Sequence, residues 1–214
     1  MPRLWKRRGR GAVVRLDRTP KARMIDSVLS DFLSRPVEGF RTLDIGCGNG
    51  GISEYFSSRN DHYAVDVSDR RTNTAAPYQF KLVDSERLPF PDRFFDIVVS
   101  HHVIEHVDDQ GLHLDEMART TKCGGTVYIA TPNRSSPFME GHIDNDRVLR
   151  YRDMAGLFRR HGFEVHEYSL CVAGNPDRFN GEMKIGRFIP TVILKLLRPI
   201  YPSHIFVLTN RPSA

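Results

Sequence analysis

The sequence predicts one α/β domain built on a doubly wound, mostly parallel sheet. Three observations indicate this class: strand patterns alternate with helical patterns, a glycine-rich loop joins the first strand directly to a helix, and the chain has no internal repeat. A chain of 214 residues can bury a sizeable core but is short for two ordinary domains. We therefore expect a single domain over residues 17–214, preceded by a basic tail over residues 1–16.

Hydrophobic spacing places the elements along the chain. Apolar residues at helical spacing predict a leading helix over 21–34, and Pro36 follows its last turn. The other predicted helices cover residues 52–58, 107–122 and 152–161. The predicted strands cover residues 41–45, 62–67, 79–83, 95–99, 126–130, 163–170 and 204–208. Gly124 and Gly125 are predicted to turn the chain before the fifth strand.

The loop between the first strand and the next helix is the most informative stretch. Residues 43–51 have the sequence Leu-Asp-Ile-Gly-Cys-Gly-Asn-Gly-Gly. Glycines let the chain turn tightly and let a ligand approach the bare backbone, while the helix start offers unpaired N–H groups. Gly46, Gly48 and Gly51 also satisfy G-x-G-x-x-G, so the loop alone would suit a dinucleotide cofactor equally well.

Acidic residues near the strand ends separate these two cofactor classes. Asp44 would repel a diphosphate but attracts an ammonium or sulfonium cation, which favours S-adenosylmethionine. Asp66 ends the second strand, where a carboxylate can accept both ribose hydroxyl protons. Asp84 follows the third strand and is similarly placed for an adenine amino group. Because parallel strand ends converge on one crevice, the three acids should line one site.

With these motifs the sequence resembles the class I S-adenosylmethionine-dependent methyltransferases, especially the branch that includes quinone-biosynthesis C- and O-methyltransferases. The resemblance covers about residues 42–172 and includes the glycine loop, the acids and the stretches 94–100, 124–133 and 161–165. It implies a Rossmann-like, seven-stranded sheet whose last strand is antiparallel, with the acceptor bound over the cofactor's methyl group. The expected cofactor-binding residues are Asp44, Gly46, Cys47, Gly48, Gly50, Asp66, Val67, Asp84, Ser85, Leu88, Ser100 and His101.

The sequence departs from the family pattern in three places. Cys123 stands where the family usually has a proline, the polar segment 68–76 replaces most of the helix after Asp66, and residues 183–202 form an insertion. These departures bear on the choice of acceptor more than on the cofactor.

Histidines after the fourth strand are the candidate catalytic residues. Methyl transfer gains much of its rate from positioning, and a base is needed only if the acceptor must lose a proton. His101 is the first candidate and His102 the second; the alternative is that His101 only lines the cofactor pocket. In the long connection over 133–150, Glu140 and His142 are placed to face the acceptor, or are ordinary surface residues.

The same segment carries a zinc-like pattern. His102 to His106 match H-x-x-E-H, in which two histidines one helical turn apart bind zinc. Such a site needs a helix of its own and a third ligand, so we interpret the match as accidental and expect no metal.

Charge and composition limit the kinds of partner and the cellular location that we expect for this protein. The net charge is +5 and the estimated pI is 9.3, and much of the excess lies in the tail, which we interpret as solvated; nucleic-acid binding is not expected. The absence of a long apolar run and the odd number of cysteines, Cys47, Cys123 and Cys171, favour a soluble protein of the cytoplasm. The insertion 183–202 mixes bulky apolar residues with cations, which suggests peripheral membrane contact or, alternatively, a helix packed over the sheet or a dimer face.

These observations lead to a functional hypothesis with open alternatives. We expect an S-adenosylmethionine-dependent methyltransferase that modifies oxygen or carbon on a small-molecule or lipid-like acceptor. The alternatives are an RNA or protein methyltransferase, a non-catalytic partner protein that binds S-adenosylmethionine, and a nicotinamide oxidoreductase.

Overall fold

The computed structural model describes residues 18–83, 87–134, 136, 148–168 and 203–211. Within them the helices are Thr19–Leu33 (α1), Gly51–Ser57 (α2), Gln110–Thr120 (α3) and Tyr151–Arg160 (α4). The strands are Arg41–Ile45 (β1), Asp61–Asp66 (β2), Gln79–Leu82 (β3), Phe95–His101 (β4), Thr121–Pro132 (β5), Phe163–Tyr168 (β6) and Ser203–Asn210 (β7). The tail over 1–16, the insertion 183–202, and Asp84, Ser85, Glu140, His142 and Cys171 lie outside the described residues.

The strands form one seven-stranded sheet in the order β3-β2-β1-β4-β5-β7-β6. The pairs β2–β3, β1–β2, β1–β4 and β4–β5 are parallel, whereas β7 is antiparallel to both β5 and β6. The predicted fold class, with its antiparallel last strand, is confirmed. Because β7 runs in the opposite direction, its first residue lies at the edge where β4 and β5 end.

Helices cover both faces of the sheet. α1 and α2 pack on one face around Ile25 and Phe56, and α3 and α4 pack on the other around Met117 and Phe158. Ile97, Val98 and Val99 of β4 alternate between these two cores, as the two-residue period of a strand requires. The sheet therefore fixes its own register, since a slip of one residue would exchange the two faces.

Three of the differences between the predicted and the observed boundaries have a clear local cause. β4 continues beyond 95–99 to His101, because Ser100 and His101 pair with residues of β5. α3 begins at Gln110 rather than 107, because the Asp109 side chain accepts a hydrogen bond from the Leu112 amide and caps the helix. The predicted turn at 124–125 lies inside β5 as an irregularity, where the register with β4 shifts.

In the part of the chain that the structure describes, none of the helices combines the length and the apolar character needed to cross a membrane.

Candidate active site

The glycine-rich loop follows β1 and leads into α2. Gly46, Gly48 and Gly50 have φ angles of 73°, 58° and 82°, a left-handed conformation that residues with a side chain disfavour. The Gly46 amide donates to the Val65 carbonyl at 2.8 Å, which ties the loop to the end of β2. A Cβ atom on Gly46 would lie 2.5 Å from Cγ2 of Val103. The loop therefore needs glycine for its conformation and for its contact with the segment after β4.

Two buried carboxylates flank this loop. Asp44 in β1 is 1% exposed and accepts a hydrogen bond from the Ser53 hydroxyl at 2.7 Å. Asp66 at the end of β2 is 5% exposed and accepts from the amides of Gly48, at 2.8 Å, and Ser68, at 3.0 Å. The structure thus brings together the two acids and the glycines that the sequence assigned to one site.

Burial controls the ionisation of groups around the loop. Burial raises the pKa of Asp44 from 3.8 to about 7, with a further contribution from the charge of Asp66, while the Ser53 hydrogen bond opposes the shift. Burial likewise raises the pKa of the Cys47 thiol, which is therefore not a thiolate at neutral pH. A bound cation would keep Asp44 ionised, whereas a diphosphate would be repelled by it. The glycine cradle and the two acids fit a cationic, ribose-bearing group better than a dinucleotide.

The polar segment after β2 lies across the glycine loop and forms no helix over 67–78. The Thr72 amide donates to the Asn49 carbonyl at 3.1 Å. The Tyr78 hydroxyl lies so close to Gly50 that a Cβ there would collide with it. The sequence predicted that most of the helix after Asp66 would be absent, but it did not predict this contact. A polar, non-periodic segment gives no indication of what it packs against.

Ser100 and His101 end β4 and have buried polar atoms. The Ser100 hydroxyl and Nδ1 of His101 make no hydrogen bond in the described structure. The His101 ring stacks near Tyr128, with centroids 6.2 Å apart. Burial, and after it the positive charge of neighbouring basic groups, lowers the pKa of His101 well below 6.5. His101 is therefore neutral at physiological pH and weakly basic.

His102 is the better connected of the two candidate bases. It has a φ of 58°, and its amide donates to the Ala130 carbonyl at 2.8 Å. Its Nδ1 lies 3.2 Å from Oε1 of Glu105, a side chain that is 1% exposed. Its Nε2 lies 3.2 Å from the hydroxyl of Ser203, the first residue of β7. Sequence reasoning missed Ser203, which is 101 residues away along the chain.

The zinc-like pattern does not form a zinc-type helix. Residues 102–107 form turns, and α3 begins only at Gln110. Among the described residues, no group of three or more His, Cys, Asp or Glu side chains is arranged to hold a metal ion.

Leu88 is held by a charged pair on α3. Its amide donates to Oε2 of Glu116 at 2.8 Å, and Arg119 donates to its carbonyl at 3.0 Å. Arg119 also bonds the Glu116 carboxylate at 2.7 Å, so both sides of the Leu88 peptide are fixed by one ion pair. Sequence reasoning selected Leu88 but missed the ion pair that holds it.

Val67, another residue expected to bind the cofactor, directly follows β2, beside Asp66.

Comparison with known proteins shows what this domain is similar to. Residues 43–129 match the model of a family described as a methyltransferase domain. The ubiquinone biosynthesis O-methyltransferase of Rhizobium rhizogenes is 36% identical over 111 residues, which cover 48% of this chain and 45% of that protein. The protein of the same name from Caulobacter vibrioides is 34% identical over 157 residues, which cover 68% of this chain and 62% of that protein. The chain thus spans less than two thirds of the length of both relatives.

A solved structure shows the same fold. The SAM-dependent methyltransferase from Aquifex aeolicus superposes with a TM-score of 0.57 at 16% sequence identity, covering 89% of this chain and 96% of that one. Together the comparisons confirm the resemblance that the sequence predicted.

Proposed function

We propose that the chain is an S-adenosylmethionine-dependent methyltransferase that acts on a hydroxyl group of a small molecule. The match of residues 43–129 to the model of a methyltransferase domain supports this proposal. The observation that carries the cofactor assignment is the pair of buried acids, Asp44 and Asp66, on either side of a loop of left-handed glycines. The hydroxyl acceptor is supported by the names of the two relatives, both O-methyltransferases.

The residues around the loop have distinct parts in this proposal. Asp66 accepts hydrogen bonds from the ribose hydroxyls, and Asp44 offsets the positive charge of the methyl donor. Gly46, Gly48 and Gly50 let the donor approach the backbone closely. When bound, S-adenosylmethionine supplies a methyl group on a sulfonium, which an acceptor oxygen can attack. Cofactor contacts of Cys47, Val67, Leu88 and Ser100 belong to the same proposal, as do those of Asp84 and Ser85 outside the described residues.

On the acceptor side of the site, where the methyl acceptor would bind, the residues at the end of β4 take part in the reaction. His102 takes the acceptor's hydroxyl proton, since it is partly exposed and has a carboxylate beside it, whereas the neutral, weakly basic His101 lines the pocket. Val103, next to His102, contacts Gly46, so the base and the cofactor loop are neighbours. His142, outside the described residues, stays a prediction for the acceptor side, as do a lipid-like acceptor and membrane contact through 183–202.

Titration calorimetry with S-adenosylhomocysteine tests the cofactor assignment. We expect binding at sub-millimolar concentration, weakened roughly 10- to 100-fold in Asp66→Asn, because a charge-assisted acceptor is lost. The matched control is Asp61→Asn at the opposite end of β2, where the carboxylate is exposed and paired with Arg41. Absence of binding by the unaltered chain, or equal affinities for the two variants, would overturn the assignment.

Transfer of a labelled methyl group tests the acceptor class. Label from S-adenosylmethionine should appear on low-mass hydroxylated aromatic compounds, with product formation lost when the hydroxyl is blocked. Label on RNA or protein instead would establish one of the alternative functions. Binding of the donor without transfer to any of the three classes would favour the non-catalytic alternative.

A further inference from the structure

Glu105 is a buried carboxylate with too few hydrogen bonds. It is 2% exposed, and its Oε1 has no aligned hydrogen-bond donor among the described residues. Its Oε2 accepts from the Thr131 hydroxyl at 3.5 Å, a long and weak bond. Burying a carboxylate with so few hydrogen bonds is unfavourable unless a positively charged group lies beside it.

The groups nearest to Oε1 are imidazoles. Nδ1 of His102 lies 3.2 Å away and Nε2 of His106 lies 4.0 Å away. His113 is also buried, with an unpartnered Nε2, and the charge of Glu105 acts on it, although burial dominates and lowers the pKa of His113 to about 4. His113 is therefore neutral, and His102 is the closest imidazole to the carboxylate.

The backbone at His102 is held in an unfavourable conformation. A φ of 58° is left-handed, which residues other than glycine seldom adopt. The hydrogen bond from its amide to the Ala130 carbonyl fixes this conformation at the edge of β5. As a result the ring lies between Glu105 and Ser203, with a third of the side chain exposed to solvent. Backbone strain of this kind is characteristic of residues placed for a function.

We propose that Glu105 is the positioning residue of His102. Nδ1 lies 3.2 Å from Oε1 without being aligned with it. A small turn of the ring would let Nδ1–H donate to Oε1, which would fix the tautomer in which Nε2 carries a free lone pair. The Ser203 hydroxyl lies 3.2 Å from Nε2, so a hydroxyl can reach this atom; in the proposed tautomer it donates to the lone pair. Glu105 does not touch the acceptor. The inference rests on the proposed function for the identity of the acceptor but not for the tautomer itself.

The proton transfer follows from this arrangement. The acceptor's hydroxyl would take the place of the Ser203 hydroxyl at Nε2, and its proton would move to Nε2. Its oxygen would bond to the methyl carbon as the bond from that carbon to the sulfonium sulfur breaks, so that the electron pair stays on sulfur and S-adenosylhomocysteine leaves. The resulting imidazolium is stabilised by the Glu105 carboxylate, which keeps its negative charge. The proton then leaves to water through the exposed part of the ring, and His102 returns to its neutral tautomer.

Nitrogen NMR of the full chain labelled with ¹⁵N-histidine tests the tautomer without any methyl transfer. His102, assigned by comparison with His102→Asn, should be protonated on Nδ1 and not on Nε2. Glu105→Leu should convert it to a mixture of tautomers. His106→Gln, which removes the other imidazole near Oε1, is the matched control and should leave the His102 signals unchanged.

Glu105→Gln keeps the shape of the side chain and serves if Glu105→Leu does not fold. We expect faster exchange of the His102 Nδ1 proton with water, together with a fall in kcat of ~10-fold or more and no change in S-adenosylhomocysteine affinity. A single Nδ1-protonated tautomer in Glu105→Leu, or Nε2 protonation in the unaltered protein, would overturn the inference. Failure of the unaltered chain to bind S-adenosylhomocysteine would instead count against the proposed function, whatever the tautomer.

Discussion

The cofactor side and the acceptor side of the site differ in how far their buried polar groups are hydrogen-bonded. On the cofactor side, Asp66 receives hydrogen bonds from the Gly48 and Ser68 amides, and Asp44 receives one from Ser53. On the acceptor side, around the end of β4, the described structure leaves several buried polar atoms without a hydrogen bond. They are Nδ1 of His101, Oε1 of Glu105 and, on α3, Nε2 of His113.

This difference indicates that the cofactor side is rigid and that the acceptor side keeps reactive groups available. The cofactor side is preorganised, because Asp66 is held by backbone amides and Asp44 by the hydroxyl of a buried serine on α2. The acceptor side keeps polar atoms available for a ligand or a proton, at a cost in stability that the surrounding core tolerates. Substitutions on the cofactor side should therefore change binding, and substitutions on the acceptor side should change turnover.

The largest expected effect is on the cofactor side, at Gly46. Gly46→Ala would place a Cβ against Val103 at a φ of 73°, so we expect S-adenosylhomocysteine affinity to fall more than ~100-fold and the free energy of unfolding to fall by about 2–5 kcal/mol. Gly39→Ala is the matched control, since Gly39 has a φ of 72° with nothing within 4 Å of an added Cβ. Calorimetry and urea unfolding measure both. Equal binding losses in the two variants would show that backbone strain alone explains the effect.

The next effect separates the two histidines of the acceptor side. His102→Asn should lower kcat by about 100-fold or more, the range of a general base, without changing S-adenosylhomocysteine affinity. His101→Asn should lower kcat by less than ~10-fold, because burial already makes this imidazole a poor proton acceptor. Steady-state kinetics with both substrates varied provides the measurement. A larger loss in His101→Asn would reverse the assignment of the base.

A smaller effect is a pH dependence on the cofactor side that arises from Asp44. Its pKa is raised by burial from 3.8 in the unfolded chain to about 7, so the folded protein binds this proton more tightly. The stabilisation is present at acidic pH and is lost as the pH rises between these two values. Binding of S-adenosylmethionine should show the reverse trend and weaken by roughly 10-fold as the pH falls from 8 to 6, because protonation removes the attracting charge.

Asp44→Asn tests both trends. At pH 8 the variant should unfold at higher urea concentration than the unaltered protein, by about 1–3 kcal/mol in the free energy of unfolding, while binding the donor less tightly. Its donor affinity should not vary with pH over the same interval. If the unaltered protein and Asp44→Asn showed the same pH profile for binding, Asp44 would not be the group that meets the cation.

The smallest effect is expected on the acceptor side at Ser203. Ser203→Ala removes the hydroxyl from Nε2 of His102, and water can replace it, so kcat should change by less than ~5-fold. Cofactor affinity should stay the same. A fall in kcat comparable with that of His102→Asn would mean that Ser203 itself relays the proton.

The sequence predicted where the glycine loop and Asp44 lie in the fold, because these signals are local. β1 occupies the residues predicted for it, and the glycines and Asp44 lie within a few residues of one another. Asp66 was accessible to the same reasoning, because parallel strands end at a common edge. The extension of β4 was missed because the apolar run stops at Val99 while the hydrogen-bonded ladder continues.

The acceptor side could not be predicted in the same way, because its contacts join distant parts of the chain. Ser203 reaches His102 only because β7 inserts antiparallel between β5 and β6. The sequence placed His101 ahead of His102 because it lies at the end of the fourth strand, and spacing alone does not reveal that burial lowers its pKa. The Glu105 carboxylate was visible in the sequence, but its burial and its orphaned oxygen were not.

A crystal structure of the chain grown with S-adenosylhomocysteine would show whether the glycine loop and Asp66 hold the cofactor. We predict that the ribose hydroxyls lie within hydrogen-bonding distance of the Asp66 carboxylate and that the sulfur lies between the glycine loop and His102. Electron density for the ligand at another edge of the sheet, or at this edge with Asp66 making no contact to it, would exclude this cofactor site.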